Sequence, residues 1–314
     1  MGVIVAVDGG GSKTDVVAVT LHGEVVVRER FGSVMPHAIG VPASVAQVAQ
    51  WVLDAAGGAS IDALGVYLSG LDLPREVEAY RLRLQALGLT PTLLVDNDVF
   101  ALLRAGTRAP DAVAVVCGTG INAVGRRADG AVVRFPALGS ISGDWGGGDG
   151  LGHEALWHAA RAEDGRGPGT ALVAAVCAQF GVSTVLELIT QVHVGERDYA
   201  ELSRLAPAVF AASDAGDAVA SGLVDRLGDE VVTLAGTCLR RLNLLSTDVP
   251  VVLGGGILQA QPPRLMARVR TGLAEVAPSA GAVVLGVPPI LGAAQLTLEA
   301  AGASGAAVSR LATD

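Results

Sequence analysis

Three glycine-rich turns are the first features of this sequence that could do chemistry. They lie at residues 9–11, 118–120 and 254–256; the second and third directly follow an apolar run, and Asp8 separates the first from its apolar run. Glycine allows left-handed backbone angles and close approach of a ligand, and the N–H groups of such a turn can cradle phosphate oxygens. A single glycine turn often only joins two strands, whereas three at strand ends favour a nucleotide phosphate site. Neither GxxxxGK[ST] nor a GxGxxG that opens a helix is present.

Charged and hydroxyl side chains flank the first turn. Asp8 precedes it, and Lys13 and Thr14 follow it. A carboxylate beside a phosphate loop can hold Mg²⁺, usually through water, while Lys13 and Thr14 can donate hydrogen bonds to phosphate oxygens. The alternative is that Asp8 only caps the turn. We predict that Asp8 is the magnesium-linked residue.

Asp98 follows a short apolar run at residues 93–95 and opens a predicted helix. Phosphoryl transfer to an alcohol benefits from a carboxylate that orients the hydroxyl and accepts its proton. An aspartate at this position could instead be a helix N-cap, and Asp96 is a competing carboxylate. The local sequence leaves these alternatives open.

The segment at residues 143–150 combines Trp145 with five glycines and two aspartates. This composition is poor for packing but suits a sugar, because a sugar ring can stack on indole and carboxylates accept hydrogen bonds from hydroxyl groups. The alternative is a flexible Asp/Gly loop.

The elements around these residues repeat. An apolar strand, a glycine turn, a second strand, an xG turn and a Val-Val strand occur near the start of the chain and again from residue 112. Such self-similarity indicates an ancient duplication, with two halves facing each other across a cleft. Helical spacing dominates residues 152–241. Because strands alternate with helices while the opening hairpins are antiparallel, we predict mixed sheets flanked by helices.

Composition narrows the class of protein. The chain has 314 residues, of which 51% are hydrophobic, which predicts about two domains with a sizeable core. The net charge of -9 and the lack of a basic cluster argue against a nucleic acid partner.

The cysteines and the apolar segments bear on the cellular location. Three isolated cysteines predict reduced thiols rather than disulfides or a zinc site. No signal peptide is evident, so we expect a cytoplasmic protein. The longest uncharged stretch, residues 276–298, contains prolines and glycines that predict a strand, a turn and a helix start rather than a membrane span.

Taken in order, these segments resemble the N-acetylglucosamine kinase branch of the BadF/BadG/BcrA/BcrD ATPase family over about residues 3–298. VAVDGGGSKTDVV and VVCGTGINAVG resemble its two phosphate motifs, and VVLGGGI its adenosine motif. VDNDVFALLRAG resembles the segment with the catalytic aspartate, and LSGLD a segment near the sugar. GDWGGGDGLGHEAL resembles the family's GDEGSG stretch and the helix after it.

The resemblance implies an α/β fold of two RNase H-like (actin-like ATPase) domains, with mixed five-stranded sheets and a central cleft. Residues 1–112 with a C-terminal helix at 289–314 would form one domain, and residues 113–288, with a helical insertion, the other. ATP and Mg²⁺ would serve as cofactors for phosphorylation of a small-molecule sugar. The acceptor would be a hexosamine hydroxyl, O6 of N-acetylglucosamine or glucosamine, and the family allows a homodimer.

The resemblance also assigns residues. It makes Asp98 the catalytic base and Asp8 the indirect magnesium ligand. The ATP site would comprise Gly10, Gly11, Ser12, Lys13, Thr14, Gly118, Thr119, Gly120, Gly254, Gly255 and Gly256. The sugar site would comprise His37, Ser69, Gly70, Asp98, Asn122, Asp144, Trp145 and Gly146.

Two departures affect sugar recognition. The loop at residues 35–38 reads MPHA where the family often has an asparagine, and Trp145 replaces the glutamate of GDEGSG. Glucose or a cyclitol-like alcohol therefore remains open beside the two hexosamines. The dehydratase-activating ATPases of the family need paired cysteines, which are lacking here. A non-catalytic sugar sensor would tolerate loss of Asp98, which is present.

Overall fold

Two five-stranded sheets organise the computed structural model, which describes residues 2–311. The first sheet has the order β3-β2-β1-β4-β5 and the second the order β10-β9-β6-β7-β8. The strands are β1 (Val3–Gly9), β2 (Lys13–Val19), β3 (Val25–Gly32), β4 (Ile61–Leu68), β5 (Leu93–Asp96), β6 (Ala112–Cys117), β7 (Ile121–Arg126), β8 (Val132–Arg134), β9 (Pro250–Gly254) and β10 (Gly281–Val284).

Both sheets are mixed in the same way. In each, the first three strands form antiparallel hairpins and the last two add in parallel. The predicted mixed α/β architecture of two RNase H-like halves is therefore confirmed, and the repeat predicted from the glycine hairpins is present in the strand order.

Helices cover the faces of the sheets and form an insertion between β8 and β9. They are α1 (Pro36–Ile39), α2 (Val41–Ala56), α3 (Pro74–Gln85), α4 (Asp98–Gly106), α5 (Gly147–Glu163), α6 (Leu172–Phe180), α7 (Val185–His193), α8 (Ala206–Asp214), α9 (Ala218–Arg241), α10 (Gly256–Gln259), α11 (Pro263–Val276), α12 (Pro289–Ala300) and α13 (Gly305–Arg310). Two 3₁₀ helices span Gly139–Ser142 and Tyr199–Leu205.

Buried apolar strands explain the layering. Along β1, Val5 and Val7 pack against α2 on one face, and Ile4 and Ala6 pack against α12 on the other. A strand covered on both faces reads as a continuous apolar run, which is what residues 3–7 show. Helix α12, near the end of the chain, thus returns to the first sheet.

Helix α4 is shared by the two halves. Its Leu102 and Leu103 pack with Val252 of the second sheet, while Ala101 packs with residues of α12 and the first sheet. A Cβ atom at Gly292 of α12 would lie 2.0 Å from the Ala101 carbonyl oxygen, so the two helices approach closely only because residue 292 is glycine.

Across residues 2–311, no single helix has the length and apolar character needed to cross a membrane. One helix pair, Leu172–Phe180 with Val185–His193, meets the length and composition test when taken together, with a 53° bend between the two helices.

Candidate active site

A cleft of about 2220 Å³ lies between the two sheets and is lined by both. It collects nearly all of the residues predicted from the sequence. Those that line it are Asp8, Gly10, Gly11, Ser12, Lys13, His37, Ser69, Gly70, Asp98, Gly118, Thr119, Gly120, Asn122, Asp144, Trp145, Gly146, Gly255 and Gly256.

Two predicted residues stand behind the cleft wall instead. Gly254 ends β9, and a Cβ there would lie 2.4 Å from Leu102 of α4, so this glycine allows the helix to pack on the sheet. Thr14 is fully buried in β2, and its Oγ1 is buried without a hydrogen-bond partner among residues 2–311.

The three glycine turns converge. A Cβ at Gly11 would lie 3.7 Å from Thr119 Oγ1, so the first and second turns face each other across the cleft. A Cβ at Gly118 would lie 3.9 Å from the Gly256 nitrogen, which brings the third turn beside the second. Side chains at these turns would narrow the space between the sheets.

Helix α5 orients the second turn. The N–H groups of Gly148 and Asp149 donate to the carbonyls of Gly118 and Thr119 at 2.8 and 2.9 Å. Within the described part of the chain, the N–H groups of Thr119 and Gly120 donate to no acceptor. A phosphate cradle requires free backbone N–H groups. Here α5 holds the carbonyls of the turn, and two N–H groups remain available for a ligand.

Asp8 belongs to a row of charges across three strands. In the sheet register Asp8 lies opposite Asp15, and Asp15 lies opposite Arg30. Arg30 Nε and Nη2 donate to the two oxygens of buried Asp15 at 2.7 and 3.0 Å. Asp8 lacks such a partner among residues 2–311, and burial, together with Asp98 and Asp15, holds its pKa well above the usual range. Such a carboxylate is suited to a cation.

Asp98 is the first residue of α4, and it is not the N-cap. The cap is Asn97, whose side-chain oxygen accepts a hydrogen bond from the Val99 N–H at 3.1 Å. Burial, reinforced by Asp72, raises the pKa of Asp98 to about 7, against the opposing effect of backbone N–H groups at the helix start. A carboxyl group with a pKa near neutrality is suited to accept a proton.

The polar side chains next to Asp98 are held by hydrogen bonds or ion pairs of their own. Asn97 Nδ2 donates to Asp72 Oδ1 at 2.9 Å, and burial with nearby Glu76 raises the pKa of Asp72 to about 6. Asp96, the competing carboxylate, forms an ion pair with Arg134 of β8 at 3.0 Å. Asp96 is therefore engaged, whereas Asp98 is left facing the cleft.

The predicted sugar loops meet beside Asp98. Gly70 has a φ of +83°, and a Cβ there would lie 3.0 Å from His37 Cδ2, so the loop after β4 packs against α1. His37 Nε2 lies 3.6 Å from Glu76 Oε1. The Ser69 N–H donates to the Gly9 carbonyl at 2.7 Å, which ties this loop to the first glycine turn.

The opposite wall carries Trp145 and Asp144. The guanidinium carbon of Arg226 lies 3.8 Å from the centroid of the Trp145 ring, and Arg226 also donates to Glu154 Oε1 at 3.0 Å. One indole face is thus covered by an arginine. Ser142 Oγ donates to Asp144 Oδ2, which orients that carboxylate.

Comparison with known proteins agrees with this geometry. The family model described as the BadF/BadG/BcrA/BcrD ATPase family matches residues 5–296. The chain belongs to this ATPase family. It is 23% identical over 275 residues to an N-acetyl-D-glucosamine kinase of Dictyostelium discoideum, covering 82% of this chain and 86% of the relative. It is 25% identical over 261 residues to an N-acetylmuramic acid/N-acetylglucosamine kinase of Clostridium acetobutylicum, covering 81% and 85%.

The fold is shared with a solved protein from Chromobacterium violaceum that is provisionally named an N-acetylglucosamine kinase. The TM-score is 0.73 at 23% identity, with 95% of this chain and 99% of the other covered. The two sheets and the glycine turns between them agree with membership of the ATPase family and with this shared fold.

The residues present fit the nucleotide that the family uses. Unpartnered amides at Thr119 and Gly120, the orphan Thr14 Oγ1 and the lysine at position 13 all lie at or directly behind the facing turns. Within residues 2–311, no group of three or more His, Cys, Asp or Glu side chains is arranged to hold a metal. Mg²⁺ in phosphoryl-transfer sites is held by one or two carboxylates together with phosphates and water, so Asp8 alone is compatible with it.

Several residues of the site were missed by sequence reasoning. Asp72 lies in the quoted LSGLD segment, but only the fold shows its bond to Asn97. Asp15 and Arg30 could have been paired from the alternation of polar residues in adjacent antiparallel strands. Arg134 carried no local signal, because its partner Asp96 lies 38 positions earlier in another sheet.

The contact between α5 and the second turn gives a stability prediction. Gly147 has a φ of +69°, and a Cβ there would lie 2.4 Å from the Thr119 carbonyl oxygen. Gly147→Ala therefore adds a backbone clash to left-handed strain, and we expect it to lower the free energy of unfolding by about 2–4 kcal/mol. The matched control is Gly130→Ala, where φ is +89° but no atom lies within 4 Å of the new Cβ. We expect about 1 kcal/mol there in urea denaturation. Equal losses in the two variants would contradict the role of the contact.

Proposed function

We propose that this chain is a cytoplasmic, Mg-ATP-dependent sugar kinase that phosphorylates a hexosamine. The acceptor proposed is N-acetylglucosamine or glucosamine, and the hydroxyl is O6. One observation carries the proposal: glycine turns from both sheets converge on the cleft that holds the uncompensated carboxylate of Asp98. The two kinase relatives support the substrate class.

Asp98 is proposed as the base in the transfer step. Its carboxylate takes the proton of the acceptor hydroxyl while the hydroxyl oxygen forms a bond to the γ-phosphorus. The bond between that phosphorus and the β–γ bridging oxygen breaks, and ADP leaves with the electron pair. Asp72 accepts a hydrogen bond from Asn97 and Asp96 is paired with Arg134, so the two neighbouring carboxylates already have partners within the protein.

The remaining residues bind and orient. The amides of Thr119 and Gly120 and the side chain of Lys13 are proposed to hold the phosphates, with Gly255 and Gly256 beside the nucleoside. Asp8 is proposed to hold Mg²⁺ through water; the ion, when bound, neutralises charge on the phosphate oxygens. The sugar is proposed to lie among His37, Ser69, Gly70, Asn122, Asp144, Trp145 and Gly146.

Two bodies are proposed to close over the sugar. The first comprises residues 1–112 with 289–314, and the second residues 113–288; positions 1 and 312–314 lie outside the described residues. The first sheet ends at Asp96 and the second begins at Ala112, one residue before the proposed boundary, which supports a division near this point. Closure would exclude water as a competing phosphoryl acceptor.

A sugar panel tests the function. ATP consumption is measured with amino sugars, neutral hexoses and cyclitols, and the product is examined by phosphorus NMR. We expect a hexosamine to stimulate turnover at least tenfold over water, to give a 6-phosphate and to reduce the radius of gyration in solution scattering. If no sugar stimulates turnover but one still binds, the chain is a sensor and the kinase proposal is wrong. Unchanged scattering with a good substrate would contradict closure alone.

A further inference from the structure

A second cavity, of about 320 Å³, lies apart from the cleft and is lined by three arginines. Arg104 belongs to α4, Arg108 follows that helix, and Arg126 ends β7. Glu299 of α12 and Val308 of α13 complete its wall. None of these residues lines the cleft. We call this cavity, defined by Arg104, Arg108 and Arg126, the arginine pocket.

Positive charge in the arginine pocket exceeds negative charge. Glu299 pairs with Arg104 at 2.7 Å, so one guanidinium is compensated. Arg108 donates to the Ser309 hydroxyl at 2.7 Å, and Arg126 donates to the Ala109 carbonyl at 3.0 Å; both acceptors are neutral. Among residues 2–311, Arg108 and Arg126 form no ion pair with a carboxylate.

Arg126 carries an unused donor. Its Nε is buried and has no hydrogen-bond partner in the part of the chain that the structure describes. Burial, together with the positive charge of Arg104, lowers the pKa of Arg126. An unsatisfied buried N–H on a cation costs free energy unless an acceptor arrives, and the acceptor that suits it is an anion.

We propose that the arginine pocket binds a small phosphate-type dianion, either inorganic phosphate or a phosphate monoester. Guanidinium groups match the geometry of phosphate oxygens through paired N–H donors, and two uncompensated arginines match a dianion. The cavity volume lies at the lower end of the roughly 300–1,000 Å³ typical of ligand pockets, which favours a small ligand.

The position of the pocket gives binding there a structural consequence. Arg104 and Glu299 lie on the helix pair α4 and α12, whereas Arg126 lies on the second sheet. Arg108 lies on the segment that joins α4 to β6. A bound dianion would therefore touch elements of both halves at the point where the chain passes between them.

Equilibrium dialysis with radiolabelled inorganic phosphate tests the proposal. The cleft is first saturated with a non-hydrolysable ATP analogue, and sodium chloride is matched for ionic strength. We expect one phosphate per wild-type chain at millimolar concentration, and at least tenfold weaker binding to Arg126→Gln. The matched control is Arg127→Gln, whose arginine pairs with Asp129 on the surface and does not line the pocket. It should bind phosphate as the wild type does.

A second variant keeps the proposal testable if Arg126→Gln misfolds. Arg108 is exposed, so Arg108→Gln should fold normally and still weaken phosphate binding severalfold. Unlabelled methyl phosphate as competitor distinguishes the two ligand sources: displacement at equal or lower concentration than phosphate indicates a monoester site. Phosphate binding that is absent in the wild type, or equal in wild type, Arg126→Gln and Arg108→Gln, would overturn the proposal.

Discussion

Replacement of Asp98 by asparagine is expected to lower kcat for sugar phosphorylation by about 10³-fold, within the range that general-base catalysis contributes. The substitution keeps the size of the side chain and removes its proton-accepting oxygen. Because Asn97, not Asp98, provides the cap of α4, the helix should remain intact. The measurement is sugar-dependent ATP turnover at saturating substrates, beside circular dichroism.

The raised pKa of Asp98 leads to two expected effects of pH. Its pKa is raised to about 7, so the carboxylate predominates only above that pH, and wild-type kcat/KM should fall about tenfold per pH unit below it. Because the pKa of Asp98 is higher in the folded than in the unfolded chain, the contribution of this group to folding stability is greatest at low pH and declines as pH rises from about 4 to 7. Asp98→Asn removes that decline, so at pH 8 the free variant should melt at a higher temperature than the wild type.

Asp96→Asn is the matched control, since Asp96 lies two residues away and is held by Arg134 at 3.0 Å. We expect its kcat to stay within about tenfold of the wild-type value. If Asp96→Asn instead loses activity and Asp98→Asn keeps it, the base has been misassigned.

Asp8→Asn and Asp15→Asn are expected to act in opposite directions on stability. Burial and two neighbouring carboxylates raise the pKa of Asp8, so its charge destabilises the free protein, and Asp8→Asn should raise the melting temperature at pH 8. Asp15 is buried and accepts two bonds from Arg30. Asp15→Asn breaks this pair, and we expect a loss of about 1–3 kcal/mol in the free energy of unfolding.

Asp8→Asn should also change the activity. Asp8→Asn removes the proposed magnesium-linked charge, and we expect kcat/KM for ATP to fall about 100-fold, with a higher magnesium concentration needed for half-maximal rate. Urea denaturation and a magnesium titration at fixed ATP provide the two measurements. An Asp8→Asn variant that is less stable than the wild type and retains its magnesium dependence would rule out both the charge argument and the metal assignment.

Local patterns were enough to predict the strands and turns of both halves. The apolar runs before residues 9, 118 and 254 end where the structure places β1, β6 and β9. The internal repeat indicated two halves across a cleft, and the resemblance to the ATPase family implied the same arrangement, but no property of one segment shows which turn faces another. The distance between Gly11 and Thr119 depends on how the two sheets are placed against each other.

Roles that depend on packing could not be read from the sequence. The resemblance assigned Gly254 to the ATP site, and only the structure shows that this glycine also lets Leu102 of α4 pack against β9. Whether Asp98 was a cap or a free carboxylate depended on the conformation of Asn97, a residue with no distinct signal. The arginine pocket was also hidden, since Arg104 and Glu299 are 195 positions apart.

Helix α4 presents Asp98 to the cleft at its first residue and Arg104 to the arginine pocket six residues later, about 9 Å along its axis. The proposed proton acceptor and the proposed anion site therefore lie on one short helix. Any energetic linkage between their ligands must be reciprocal: if phosphate tightens or loosens sugar binding by some factor, the sugar must change phosphate affinity by that factor. A single thermodynamic cycle, with phosphate and sugar added in either order, would measure the coupling free energy between the two sites.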